Sequence, residues 1–331
     1  MLAFVEDGGQ GRKHGVERPM AWFSRKHYGA LRKFPQGAAM TSLRPRRSVL
    51  YMPGSNARAL EKARTIAADA LILDLEDAVA PDAKELARNQ VTAAVKAGGF
   101  GRREVVIRVN GPTTPWGKED FAAAATAGPD AILLPKVSAP GDIMMAAKAL
   151  RDAGAPDHTR IWAMMETPVA ILNADYIVRT AIDPDSRLAA LVMGTNDIAK
   201  ETRARLTPGR PSMLAYLSIC VAAARAYGVD IVDGVYNNFS DEAGFRAECE
   251  QGRDLGMDGK TLIHPNQVAV CNEVFAPSEA DVAFARRIIE VFDLPENAAK
   301  GALQIDGKMV ERLHADMARR TVAIADAIAG A

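Results

Sequence analysis

Two carboxylates raise the first question of chemistry. Glu166 stands near the end of the apolar run RIWAMMET (160–167), and Asp197 lies just beyond the next run, RLAALVMGT (187–195). Acids at the ends of consecutive strands suit Mg2+, which takes one or two protein carboxylates and fills its other positions with water and substrate oxygens. Zinc fits poorly, because no His or Cys ligands converge with them. The same two acids could instead close a salt-bridge network with Arg108 or Lys136, and position alone leaves both readings open. Arg108, near the end of EVVIRVN (104–110), has the planar fork that grips a substrate carboxylate. It could also pair with Asp74, Glu76 or Asp77 of LDLEDAV. That triad of acids is too dense to stay unpaired, so some of its members should orient Arg108 or metal-bound waters.

Other candidates are weaker taken alone. In YMPGSNARALEK, Tyr51, Arg58 and Lys62 surround the start of the first helix. Backbone N–H groups there, with two basic side chains one turn apart, could hold a phosphate, although exposed Arg and Lys are usually only solvated. His264 in LIHPNQ is either an acid/base or part of a structural His-Pro turn.

The elements that must position these residues are eight short apolar runs. Besides the three above they are RSVLYMP (47–53), ALILDLED (70–77), AILLPKV (131–137), DIVDGVY (230–236) and TLIHP (261–265). Unbroken Val/Ile/Leu runs separated by amphipathic stretches predict buried parallel strands alternating with helices. Eight such units predict a closed TIM-type (β/α)8 barrel, and PGSNAR after the first run is not the GxGxxG of a dinucleotide fold. At least six of the runs end in polar residues, which a barrel gathers at one end. SMLAYLSICVAAARAYG predicts a helix with Gly228 at its C-terminal end. Barrel units occupy 40–274. Beyond them, 275–331 predicts a helical appendage: SEADVAFARRIIEVFD with Ser278 as N-cap, a linker LPENAAKGALQIDG, then a helix KMVERLHADMARRTVAIADAIA. This appendage would contact a neighbouring subunit.

Composition narrows the function class. The 331 residues are 48% hydrophobic and 25% charged, enough for one large barrel core. A formal net charge of zero argues against a nucleic-acid protein. No apolar run approaches the length of a membrane span. Cys220, Cys249 and Cys271 share no ligand spacing, and a reducing cytoplasm is expected. Residues 1–39 carry seven Lys/Arg against three acids without apolar periodicity, which reads as a disordered extension.

Together, RRSVLYMPGSN, LILDLEDAVAPDAKELAR, VIRVN, LLPKV, METP, GTNDIAK and GKTLIHPNQ resemble the HpcH/HpaI aldolase and citrate lyase family, in particular its citrate lyase β-like and malyl-CoA lyase members. The resemblance runs in order from about residue 46 to the end. It implies a Mg2+-dependent barrel acting on β-hydroxyacyl-CoA thioesters, with Glu166 and Asp197 as metal ligands and Arg108 on the acid end of the substrate. It further implies coenzyme A contacts at Tyr51, Arg58, Lys62, Ile263, His264 and Met309. Homotrimers or hexamers are implied too, the C-terminal segment reaching a neighbour's site. The lyases carry an Asp in a KMID-like segment; here GKMVERLH places Glu311 there. A carboxylate displaced by one methylene, about 1 Å, can change rates on the order of 10²-fold. Glu311 as catalytic acid/base in C–C cleavage, or as the activator of water in (3S)-malyl-CoA hydrolysis, are both compatible with this, the latter slightly favoured. A citrate lyase β-type subunit, active only within a complex, is a further possibility.

Overall fold

The computed structural model describes residues 43–330. All eight apolar runs form parallel strands, closed into a barrel in chain order. They are β1 (Ser48–Pro53), β2 (Ala70–Asp74), β3 (Glu104–Arg108), β4 (Ala131–Leu134), β5 (Arg160–Met165), β6 (Leu188–Met193), β7 (Asp230–Asp233) and β8 (Gly259–Leu262). The runs do not alternate with polar residues because both strand faces are buried. Val49, Ile72, Val106, Leu133, Trp162, Val192 and Val232 fill the interior, whereas Leu50, Leu71, Leu73, Ile107 and Ile132 pack outward against the helices. The barrel closes where β8 pairs with β1, and at Gly259, the first residue of β8, no side chain fits. A Cβ on Gly259 would stand 1.9 Å from the Arg46 carbonyl oxygen.

Below the interior core the barrel is stoppered. The Arg46 guanidinium lies 5.2 Å from the ring centre of the fully buried Trp162 and pairs with Glu104 and Asp230. The open end is therefore the C-terminal one.

Around the strands run α1 (Ala57–Ala63), α2 (Lys84–Ala97), α3 (Gly117–Ala127), α4 (Pro140–Asp152), α5 (Pro168–Leu172), α6 (Ala174–Arg179), α7 (Thr195–Thr202), α8 (Leu214–Tyr227), α9 (Glu242–Asp254) and α10 (Gln267–Val274). Helix α8 ends as expected, with Gly228 left-handed at φ +69°. Among the described residues no helix is long and apolar enough to cross a membrane. The basic stretch 1–39 lies outside the described residues.

The C-terminal segment departs from the sequence expectation. Helix α11 (Glu279–Asp293) starts at Ser278, whose Oγ accepts from the Asp281 N–H at 3.1 Å. No simple linker connects it to the last helix. Residues 302–311 form an antiparallel hairpin of β9 (Ala302–Ile305) and β10 (Lys308–Glu311). Its two-residue turn, Asp306-Gly307, has φ +48° and +78°, the left-handed pair that matches strand twist. Ile305 and Val310 turn inward against Ile288 and Phe292 of α11. Only then does α12 (Arg312–Ala329) begin, so Glu311 ends a strand instead of sitting inside a helix. Helix α12 returns to the stoppered end of the barrel, where Arg320 meets Asp258 at 2.9 Å and Asp230 at 3.6 Å.

Candidate active site

At the open end the strand termini surround a cavity of about 300 Å3, lined among others by Tyr51, Asp74, Arg108, Glu166, Asp197, Thr261 and Ile263. Glu166 follows β5 directly and is fully buried. Asp197 lies not at a strand end but in the first turn of α7, where the helix dipole favours a carboxylate. The two acids share one cation of the chain. Lys136 Nζ stands 2.8 Å from Asp197 Oδ1 and 3.6 Å from Glu166 Oε1. Its backbone N–H also donates to Glu166 Oε1, at 2.6 Å. With that N–H turned to Glu166, Lys136 adopts φ +54°, a left-handed conformation costing a non-glycine residue about 1–3 kcal/mol. Burial works against the lysine's charge, but Asp197 and Glu166 outweigh it and hold its pKa above the ordinary lysine value.

The other oxygen, Glu166 Oε2, is buried and has no hydrogen-bond partner. Leaving a buried carboxylate oxygen unpaired is costly, so such an oxygen calls for a ligand. Gly194 makes room for it: a Cβ there would stand 2.4 Å from Glu166 Cβ and 2.8 Å from Oε2. Burial pushes the Glu166 carboxyl upward, Lys136 pulls it down, and Asp197 adds to the rise. Two convergent carboxylates, one with a free oxygen, fit a Mg2+ ion completed by water and substrate. Among the described residues no three His, Cys, Asp or Glu are placed to hold a metal together, as a fully protein-ligated ion would need.

Arg108 is held on several sides. Nε and Nη2 donate to the two oxygens of Asp74 at 2.6 Å each, a side-on fork. Nη1 lies 2.9 Å from Glu76 Oε2 and 3.2 Å from Asp77 Oδ2. The Tyr51 ring packs 4.9 Å from its guanidinium carbon. Arg108 thus pairs with the acids of the triad, as one of its two sequence readings held, and it also lines the cavity. Its side-on edge is taken by Asp74, and its Nη1 is shared between Glu76 and the largely exposed Asp77. Glu76 is the odd acid. Burial, with smaller contributions from Asp77, Glu166 and Asp74, lifts its pKa to about 8, against the pull of Arg108. Underneath, Lys84 Nζ donates to the carbonyls of Leu75 and Glu76 at 2.9 and 2.7 Å and to Asn110 Oδ1 at 2.9 Å. That buried lysine, missed by the sequence reading, fixes the acid-bearing loop.

At the cavity mouth the remaining candidates separate. Tyr51 lines the cavity beside Arg108, and Ile263 lines its rim, 40% exposed. Arg58 and Lys62 are exposed on α1 and make no ion pair among the described residues. The start of α1 is already capped, since Asn56 Oδ1 accepts from the Ala59 N–H at 3.0 Å. His264 does not line the cavity; its ring stacks on Phe239 at 4.9 Å, and Nδ1 accepts from the Asn266 N–H at 3.2 Å. Phe239 was not anticipated, because an aromatic in a polar loop carries no periodic signal. Met309 and Glu311 are not among the cavity-lining residues of their own chain.

With this geometry established, comparison with known proteins is informative. The model of the HpcH/HpaI aldolase/citrate lyase family matches residues 47–265, from the start of β1 to the His264 turn. The chain belongs to that family. Among family relatives, a protein of Cereibacter sphaeroides named (3S)-malyl-CoA thioesterase is 51% identical over 285 residues, covering 86% of this chain and 96% of that protein. The citrate lyase subunit beta of Escherichia coli is 32% identical over 288 residues, covering 86% and 94%. The crystal structure of the protein CitE from Mycobacterium tuberculosis, in complex with magnesium, acetoacetate and coenzyme A, superposes with a TM-score of 0.68. It is 26% identical and covers 86% of this chain and all of that one.

Proposed function

We propose that this chain is a Mg2+-dependent enzyme that hydrolyses (3S)-malyl-CoA to malate and coenzyme A. The observation that carries this reading is the 51% identity, over almost the whole length, to a protein named for that reaction. The site supports it, because the free oxygen of Glu166 beside Asp197 gives the ion a place. A Mg2+ held there would act as a Lewis acid on the substrate oxygens it touches. Arg108 takes the malyl carboxylate at Nη1 in exchange for the exposed Asp77, while Asp74 keeps the guanidinium plane from rotating. Asp74, Glu76 and Asp77 set the charge around it. Tyr51, Arg58, Lys62, Ile263, His264 and Met309 are assigned to coenzyme A, the two cations to its phosphates.

Glu311 is assigned the proton transfer, and it comes from a second copy of the chain. In its own chain it lies outside the cavity, on a hairpin whose following helix runs to the opposite barrel end. Met309, Leu313 and Met317 around it are 73%, 52% and 63% exposed, an apolar surface suited to a neighbouring subunit in a homotrimer or hexamer. The Glu311 carboxylate takes a proton from water as the water oxygen bonds to the thioester carbonyl carbon. The C–S bond then breaks, and the sulfur leaves as a thiolate that picks up a proton. Three buried free cysteines and the absence of a membrane-crossing helix among the described residues accord with work in the cytoplasm.

Purified protein incubated with (3S)-malyl-CoA and Mg2+ tests the reaction. Malate with free coenzyme A supports hydrolysis; glyoxylate with acetyl-CoA instead makes the chain a lyase. Activity of the isolated chain in either channel excludes a subunit that works only within a citrate lyase complex, and no turnover at all refutes both reactions.

A further inference from the structure

We propose that Lys136 is a built-in competitor of the metal: its ammonium and the divalent cation exclude one another at Glu166 and Asp197. The inference rests on the metal site proposed above. Lys136 reaches both carboxylates with one nitrogen, 2.8 Å from Asp197 Oδ1 and 3.6 Å from Glu166 Oε1. A divalent ion bound to the same two side chains would stand within a few ångströms of that ammonium, in a cavity wall where Glu166 is almost wholly shielded from water and screening is weak. Like charges at that range cannot both be held. The lysine is the one able to leave, because its side chain is 41% exposed and carries its charge on a flexible stem.

The backbone separates two roles. Whatever the ammonium does, the Lys136 N–H still donates to Glu166 Oε1 at 2.6 Å and fixes the direction of the carboxylate. The left-handed backbone at Lys136 serves this N–H and not the ammonium, so the orientation of Glu166 survives departure of the side chain. Oε2, without a partner, stays available throughout. The consequence is an ion that binds reversibly, with two acids never left unpaired while it is away.

The test uses full-length protein and two substitutions: Lys136→Met, which keeps the reach without the charge, and Lys136→Asn, which is at ease in the left-handed backbone. Mg2+ affinity is measured by calorimetry, and thermal unfolding is followed in chelator and in Mg2+. Both variants should bind Mg2+ at least about fivefold more tightly than wild type, the lower end of ordinary coupling between two ligands. They should melt lower than wild type in chelator, and Mg2+ should raise their melting temperature by more. Unchanged or weaker affinity in the variants overturns the proposal and makes Lys136 a support for the metal ligands. Absence of Mg2+ binding in wild type and variants alike overturns the metal site itself. Glu166→Gln in both backgrounds marks the site, since it should remove the binding. Circular dichroism confirms folding, and Lys136→Asn carries the test if the Met variant fails to fold.

Discussion

At the residue scale, the buried Glu166 and the half-buried Glu76 are two acids with opposite demands. Glu166 has an oxygen with no partner and needs a cation. Its replacement by Gln should lower Mg2+ affinity by at least the 10- to 100-fold typical of losing even an outer partner of a metal, and turnover should fall with it. Calorimetry alongside a malyl-CoA assay would show both. Glu76 instead favours its proton, because burial and the neighbouring acids outweigh the pull of Arg108. Its pKa of about 8 in the folded chain lies above the ordinary value of 4.5, so the folded state binds this proton more tightly than the unfolded one. The stabilisation it confers is whole below about pH 4.5 and is lost as pH rises through about 8. Urea unfolding in EDTA should therefore show wild-type stability dropping across that window more steeply than in Glu76→Gln. Parallel curves would mean that Glu76 is ionised throughout.

At the element scale, the barrel was legible because each strand is an unbroken apolar run, buried on both faces by an inner core around Trp162 and an outer layer of helices. Polar residues at the run ends then located the open face. The hairpin at 302–311 was not read, although Asp306-Gly307 is a strong turn signal, because the short strands around it carry little apolar alternation. Lys84 and Phe239 were equally silent: the first is a lysine inside a helix pattern, and nothing local says that its stem is buried under the acid loop. Lys136 was visible as a partner of both acids, yet its left-handed backbone was not, since only the three-dimensional path from β4 to Glu166 demands it. Gly194 joins β6 to α7 and admits Glu166 beside it. Gly194→Ala should cost about 1–3 kcal/mol, as overpacking does, and should also weaken Mg2+ binding by displacing the carboxylate. Denaturant midpoints and calorimetry on the same variant separate the two effects. A stable protein with unchanged affinity would show that the loop yields freely.

At the scale of the whole molecule, the site as proposed needs two chains. Glu166→Gln and Glu311→Gln should each be nearly inactive, with a loss on the order of 10²–10⁴-fold expected for removing an acid/base at Glu311. Mixed after dissociation and reassembly, the two inactive proteins should regain activity, because some sites then combine an intact metal pair from one copy with an intact Glu311 from another. No recovery from demonstrably mixed oligomers would place the acid/base elsewhere. The stoppered barrel bears on kinetics in a different way. With Arg46 and Trp162 sealing one end, substrate cannot pass through the barrel and must come and go at its C-terminal face. Substrate entry and product exit must take turns, so whichever product departs last blocks the next arrival. If coenzyme A, the bulkier one, is last, it should inhibit competitively against the thioester, while malate should not.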